Sequence, residues 1–229
     1  MSHTLALTLH GGHDARPTQV AIEQAVVAGW TGRDAAAVEK HIKELEALGV
    51  KRPATTPIFY RVSAARLTTG DSIEAVGEAS GGEVEFVLLQ HGGRLWVGTG
   101  SDHTDREVEK YGVTVSKQLC DKPIARSFWA YDDVAPHWDR LMLRAHVVAD
   151  GKRALYQEGA VTAMIDPRGL IERHVRGDRL PEGTLMFCGT LAARGGVRAT
   201  PEFAFELEDP VLGRRIAHSY RVRTLPILG

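Results

Sequence analysis

The stretch GGEVEFVLLQHGGRLWVGTGSDHTDRE, residues 81–107, decides how this chain is read. Glu83-Val84-Glu85 opens a run that Phe86, Val87, Leu88 and Leu89 continue with strand-forming residues. Residues two apart on a strand share a face, so Glu83 and Glu85 project together while Val84 and Phe86 face the other way. Neighbouring carboxylates on a partly buried face repel each other and are costly to desolvate. A hard divalent cation relieves both problems, because it takes oxygen ligands and leaves positions for water or substrate. The next strand, Leu95-Trp96-Val97, leads into Thr99-Gly100-Ser101-Asp102. If it pairs back through the turn His91-Gly92-Gly93-Arg94, Asp102 returns toward Glu83 and Glu85. By itself a Glu-x-Glu strand is more often a solvated face, and an Asp after Gly-Ser a turn former or helix cap. The surrounding sequence has to supply the specificity.

The chain has 229 residues, 43% of them hydrophobic, enough for one large domain with a small N-terminal annex. Its 28 basic and 29 acidic residues give a net charge of −1, which offers nucleic acid no basic face. The N-terminus reads as an alternating strand through Leu5, Leu7 and Leu9, without the basic start of a signal peptide. No apolar run approaches the ~18 residues of a membrane span. Cys120 and Cys188 are isolated, so a zinc site is disfavoured and free thiols in a reducing cytoplasm are expected.

Gly11–Thr18 reads as a loop and Gln19–Trp30 as a second strand. Thr31 or Asp34 caps a helix with an apolar stripe at Val38, Ile42 and Leu45, ended by Gly49. Lys51–Pro57 reads as a linker and the best boundary, dividing residues 1–50 from residues 51–229. Strands are expected at Ile58–Val62, Glu83–Gln90, Leu95–Val97, Leu141–Ala149, Ala154–Gln157, Thr184–Cys188, Glu202–Glu208 and Ile216–Val222. Short helices are expected from Thr104 to about Tyr111 and over Gly169–Val175. Regular strand-helix alternation is absent, which disfavours a doubly wound fold. The pattern suits a mixed, mainly β architecture with a few short helices and a small N-terminal α/β annex.

The first helix carries His41-Ile42-Lys43-Glu44. Residues three apart are neighbours on a helix surface, so His41 and Glu44 can pair as a general base and the carboxylate that orients it. Many charged helices contain such a pair without using it.

Together these motifs resemble the fumarylacetoacetate hydrolase (FAH) superfamily over residues 29–200. His41 and Glu44 match its His-x-x-Glu lid helix, and Pro57-Ile58-Phe59-Tyr60-Arg61 its P-x-x-F-x-K stretch, with Arg for Lys. Glu83 and Glu85 match its Glu-x-Glu strand, and Ser101–Glu107 the end of its N-D-x-[ST]-x-R-D segment. Lys117 in Val115-Ser116-Lys117-Gln118 matches a Lys-containing strand, and Pro181–Thr190 a C-terminal P-G-D-x-I-x-x-G-T-P. The chain departs from the pattern in a short Glu85–Asp102 interval, in Gln-Leu-Cys after Lys117, in Glu109, and in Leu191 after Gly-Thr.

The resemblance implies an FAH-like β-rich fold, with mixed sheets forming a sandwich or roll, and a homodimer, with Phe128, Trp129 and Trp138 as candidates for its interface. It implies Mg²⁺ or Mn²⁺ on Glu83, Glu85 and Asp102, a small 2-oxo or 1,3-diketo acid as substrate, and Lys117 stabilising the enolate. Thr190 would hold the substrate carboxylate. Arg106 lies on the substrate side but more readily locks the Asp102 turn. His41 and Glu44 would activate water. The implied activity is C–C cleavage, by acylpyruvate-type hydrolysis or oxaloacetate-type decarboxylation. One alternative is a hydratase or isomerase of the same superfamily, because one fold hosts several reactions. A non-catalytic small-molecule binder or scaffold is the competing class, and the joint presence of Glu-x-Glu and His-x-x-Glu weighs against it.

Overall fold

The computed structural model describes residues 2–47, 52–149 and 151–228, without the side chains at positions 41, 44, 45, 47 and 149. In chain order the elements begin with β1 (His3–Gly11), β2 (Asp14–Ile22), β3 (Gln24–Gly29), α1 (Ala35–Ala47) and β4 (Ile58–Val62). There follow β5 (Leu67–Thr68), β6 (Ser72–Val76), β7 (Ser80–Gly81), β8 (Val84–His91), β9 (Arg94–Ser101) and β10 (Thr104–Asp105). Next come α2 (Arg106–Glu109), α3 (Val113–Leu119), β11 (Lys122–Pro123), β12 (Ser127–Ala130) and α4 (Tyr131–Val134). The chain closes with β13 (Met142–Ala149), β14 (Lys152–Ala160), α5 (Pro167–Val175), β15 (Thr184–Thr190), β16 (Glu202–Asp209) and β17 (Arg214–Leu225).

The larger sheet runs β2-β1-β12-β9-β8-β15-β3-β4. Ile22 ends β2 and Gln24 starts β3, yet these strands stand six places apart in that order. Six strand spacings in a flat sheet are roughly 29 Å. Two residues of chain reach at most ~7 Å. The sheet therefore curls into a roll. Its inner face is filled from every strand, including Leu7, Val20, Val27, Tyr60, Val87, Trp96, Phe128 and Leu185. The outer face is covered by the second sheet, β14-β13-β16-β17-β6, through a core that includes Phe86, Leu88, Leu143, Tyr156, Phe203 and Tyr220. This is the expected mainly β architecture of mixed sheets with few short helices.

β8 is thus buried on both faces from Val84 to Gln90. That is why it reads as a continuous apolar run rather than an alternating one. Val84, Phe86 and Leu88 face the second sheet, and Val87 and Leu89 face the roll interior. Glu85 is on the interior side by alternation.

Several local expectations differ from the structure. Gly11–Thr18 is a hairpin rather than a loop, because β1 and β2 pair from His3↔Ile22 to Gly11↔Asp14. Pro17 is tolerated there because β2 is an edge strand, where a missing N–H breaks no ladder. The single strand expected over Gln19–Trp30 is broken at Glu23, whose N–H turns to Gly183 O at 2.9 Å. Lys117 lies on α3, a helix, and not on a strand. The β-branched Val113-Thr114-Val115 run favours a strand, but burying Ser116, Lys117 and Cys120 while Val115 and Leu119 face solvent needs the helical period. Phe128, Trp129 and Trp138 are buried within the single chain and are not free for an interface between subunits. The strands of residues 1–50 share the rolled sheet with β8, β9 and β15. Gly49 and Lys51, offered as helix stop and linker start, lie outside the described residues.

Candidate active site

β8 runs antiparallel to both β9 and β15, so the start of β8 meets the ends of the other two at one end of the roll. The β8–β9 turn is tight, with Gly92 and Gly93 at φ +61° and +72°. Such angles suit glycine and match the twist of a two-residue hairpin. The pairing runs from His91↔Arg94 to Val84↔Ser101. Asp102 N–H then donates to Glu83 O at 3.0 Å. Glu83, Glu85 and Asp102 consequently stand around one hairpin end, and Thr190 of β15 lies opposite Glu85.

Glu85 and Asp102 are buried, at 3% and 0% exposure. Glu85 Oε2 accepts the N–H of Gly189 at 2.6 Å. Burial, and next the charge of Asp102, raise the Glu85 carboxyl well above its ordinary range. For Asp102 burial alone would act the same way, but the charges of Lys117 and Lys122 outweigh it and hold the carboxyl below its ordinary range. Lys117 Nζ donates to Asp102 Oδ2, and Lys122 Nζ stands 3.2 Å from Asp102 Oδ1. Glu83 is paired with Arg106, Nη2 to Oε2 at 2.9 Å. Arg106 also donates to Glu109 at 2.9 Å, and its Nε is buried without an acceptor among the described residues. Among the described residues, no three His, Cys, Asp or Glu side chains stand close enough together to hold a metal ion. Lysines and arginine engage Asp102 and Glu83 instead.

A rigid frame holds this cluster. His103 is buried between Ser80 Oγ and Tyr220 OH, each 2.9 Å from one ring nitrogen. Burial first, then Lys122 and Arg106, lower its pKa to about 3, so the ring is a neutral strut. Asp105 caps α2 by accepting the N–H groups of Glu107 and Val108 at 3.0 Å each. Gln157 accepts Val84 N–H at 2.9 Å and donates to Thr190 Oγ1 at 2.8 Å and Leu191 O at 2.6 Å. The Thr190 hydroxyl itself donates to Val84 O at 2.7 Å. The Tyr60 ring lies over Lys117 Nζ, 5.9 Å from centroid to nitrogen.

Of the residues singled out from sequence, Glu83, Glu85, Asp102, Arg106, Lys117 and Thr190 come together here. The positions of His41 and Glu44 fall in α1, and their side chains lie outside the described residues. Lys122, Gln157, Tyr60 and Gly189 were not foreseen as members of the site. Lys122 and Gln157 carry no motif. Gly189 stood in the matched Gly-Thr pair, but nothing in sequence showed that its amide meets Glu85.

A family model described as "Protein of unknown function (DUF2848)" matches residues 28–220. No curated protein matches the chain. Among solved structures, the chain is similar to Cg1458 with inhibitor, at TM-score 0.66 and 18% identity over 93% of this chain and 81% of that one. It is similar to 2-keto-3-deoxyarabinonate dehydratase in a hexagonal crystal form, at TM-score 0.66 and 14% identity over 93% and 78%. It is also similar to 2-keto-3-deoxy-D-arabinonate dehydratase complexed with magnesium and 2,5-dioxopentanoate, at TM-score 0.64 and 16% identity over 94% and 78%. At these identities the likeness is one of fold.

Proposed function

We propose, for a chain that belongs to the DUF2848 family, a divalent-metal-dependent enzyme that acts on a small 2-oxo acid within an FAH-type fold. The observation that carries this reading is the burial of Glu85 beside Asp102 at the hairpin end, with the Lys117 ammonium reaching into the same cluster. Two sequestered carboxylates and a lysine are an expensive arrangement for structure alone and a useful one for chemistry.

The donors fit a Mg²⁺-type ion in kind. Glu83, Glu85 and Asp102 supply hard oxygens, and Glu85 has an amide as its close partner, with its charge opposed by burial and by Asp102. Bound there, such an ion would supply Lewis-acid polarisation of a 2-oxo group. Lys117 would place its positive charge against the negative charge that develops on the 2-oxo oxygen. Arg106 would keep Glu83 oriented, and its Nε–H, which has no acceptor among the described residues, would donate to a substrate oxygen. Thr190, its hydroxyl oxygen held by Gln157, would meet the substrate carboxylate by turning its O–H from Val84 O toward it. His41, oriented by Glu44, would take a proton from water.

For the reaction, C–C cleavage is the first reading. In an acylpyruvate, water would add to the 4-oxo carbon, the C3–C4 bond would break, and C3 would take up a proton. Oxaloacetate would instead lose carbon dioxide and need no water. The second reading is dehydration, in which a 3-deoxy-2-oxo acid loses a proton from C3 and hydroxide from C4. The fold likeness to a dehydratase complexed with magnesium and 2,5-dioxopentanoate favours it. Incubation with acylpyruvates, oxaloacetate and 3-deoxy-2-oxo sugar acids, followed by product analysis, separates these readings. His41→Ala should lower kcat by roughly 10²–10⁴ in a hydrolase and far less in a decarboxylase.

A cytoplasmic homodimer completes the reading. The pair of buried free cysteines supports the compartment, and no helix among the described residues is long and apolar enough to cross a membrane. The dimer rests on the family resemblance alone. Light scattering should give twice the 25.0 kDa chain mass. A value of one chain mass would remove the dimer from the proposal.

A further inference from the structure

We infer that Lys122 is the fixed counter-ion of Asp102 and Lys117 an exchangeable one, so that Lys117 leaves Asp102 for the substrate side when the carboxylates take a divalent cation. This rests on the metal reading above and assigns Lys122 a positioning role that no motif marks.

Both oxygens of Asp102 face an ammonium, Oδ2 that of Lys117 and Oδ1 that of Lys122. Two positive charges already exceed the single negative charge they share. A divalent cation on the same carboxylate would be a third cation within a few ångströms, so one lysine has to withdraw.

The two lysines differ in their freedom to do so. Lys122 is 0% exposed, and its ammonium also donates to His103 O. Its backbone is pinned in β11, which pairs with β5, and Ile124 N–H continues that bond pattern to Thr68 O at 2.8 Å. An ammonium in that position has no water to receive it. Lys117 sits on the short helix α3 with its side chain 9% exposed. Its ammonium already lies 5.9 Å from the centre of the Tyr60 ring, whose face attracts a cation and would go on doing so once Asp102 is released.

Lys117 is also the cation on which the charges of all three carboxylates, Asp102, Glu83 and Glu85, bear together. It stands where their fields converge, which is the place a shared cation would claim. After the exchange Lys122 would still neutralise Asp102 and hold the turn at His103, so the frame would not have to move.

The test is Mn²⁺ binding by titration calorimetry on the full chain without substrate, together with a structure of the wild type grown with Mn²⁺. Lys117→Met should bind Mn²⁺ about tenfold more tightly than the wild type, because the competitor is gone. In the wild-type structure with Mn²⁺, Lys117 Nζ should lie beyond hydrogen-bond distance from Asp102 while Lys122 stays in place. Equal or weaker binding by a folded Lys117→Met would overturn the inference. Should that variant fail to fold, the wild-type structure decides, and Lys117 still bonded to Asp102 beside bound Mn²⁺ would overturn it. Absence of any Mn²⁺ binding to the wild type would instead sink the metal reading, and this inference with it.

Discussion

Gly189 gives its backbone N–H to Glu85 Oε2 at 2.6 Å, across the β15–β8 boundary. The backbone at Gly189 has φ +97°, and a Cβ built there would stand 1.7 Å from Thr31 Oγ1. Only a glycine can bring this amide to the carboxylate. Gly189→Ala is therefore expected to lose about 3 kcal/mol or more of stability in urea unfolding. A loss under 1 kcal/mol would show that the contact with Thr31 relaxes freely.

Burial, and next the charge of Asp102, oppose ionisation of Glu85. Glu85→Gln keeps the shape and the acceptor for Gly189 while removing the charge. In EDTA the variant should be as stable as the wild type, or more stable by about 1 kcal/mol. The thermal stabilisation that Mn²⁺ gives the wild type should vanish. A variant that loses stability in EDTA but keeps its Mn²⁺ response would reverse the assignment of Glu85 from ligand to structural residue.

Gln157 holds three groups at once, Val84 N–H, Thr190 Oγ1 and Leu191 O, and is itself fully buried. Gln157→Leu preserves volume and leaves these polar atoms without their partner. A loss of about 2–4 kcal/mol is expected, since an unmade buried hydrogen bond costs more than a made one contributes. If Thr190 meets the substrate, KM should also rise. Unchanged KM in a folded variant would separate Thr190 from substrate binding.

Arg106 ties Glu83 to Glu109 at 2.9 Å each. Arg106→Met should cost about 1–3 kcal/mol, because both carboxylates are only partly exposed and lose a charged donor. Arg106→Lys should recover part of the stability and little of the KM, because a lysine cannot reproduce the forked donor set. Full recovery of KM by lysine would argue that only the charge matters.

How much of this was legible in sequence follows the range of the forces. The 83–102 hairpin was, because β-rich segments around a Gly-Gly turn are local and strongly patterned. The β1–β2 hairpin was hidden by Pro17, whose acceptability depends on β2 lying at a sheet edge, a fact of tertiary order. Lys117 was placed on a strand by the family resemblance, and the β-branched Val113-Thr114-Val115 run gives no local signal against it, whereas the burial of Lys117 against Asp102 goes with the helix. β12, the short strand Ser127–Ala130, was missed for want of length, although it links β1 to β9. Within the site, the carboxylates announced themselves through spacing. Lys122 did not, since its meaning comes from a partner twenty residues away in a different element. The aromatic residues offered for an interface were simply core, which composition alone does not distinguish.

The most direct test of the account is metal dependence of turnover across the panel of acylpyruvates, oxaloacetate and 3-deoxy-2-oxo acids. The account predicts turnover of at least one with Mg²⁺ or Mn²⁺, its loss in EDTA, its return on re-addition of the ion, and none with Glu83→Ala. Turnover of a 2-oxo acid that survives both EDTA and Glu83→Ala would contradict it.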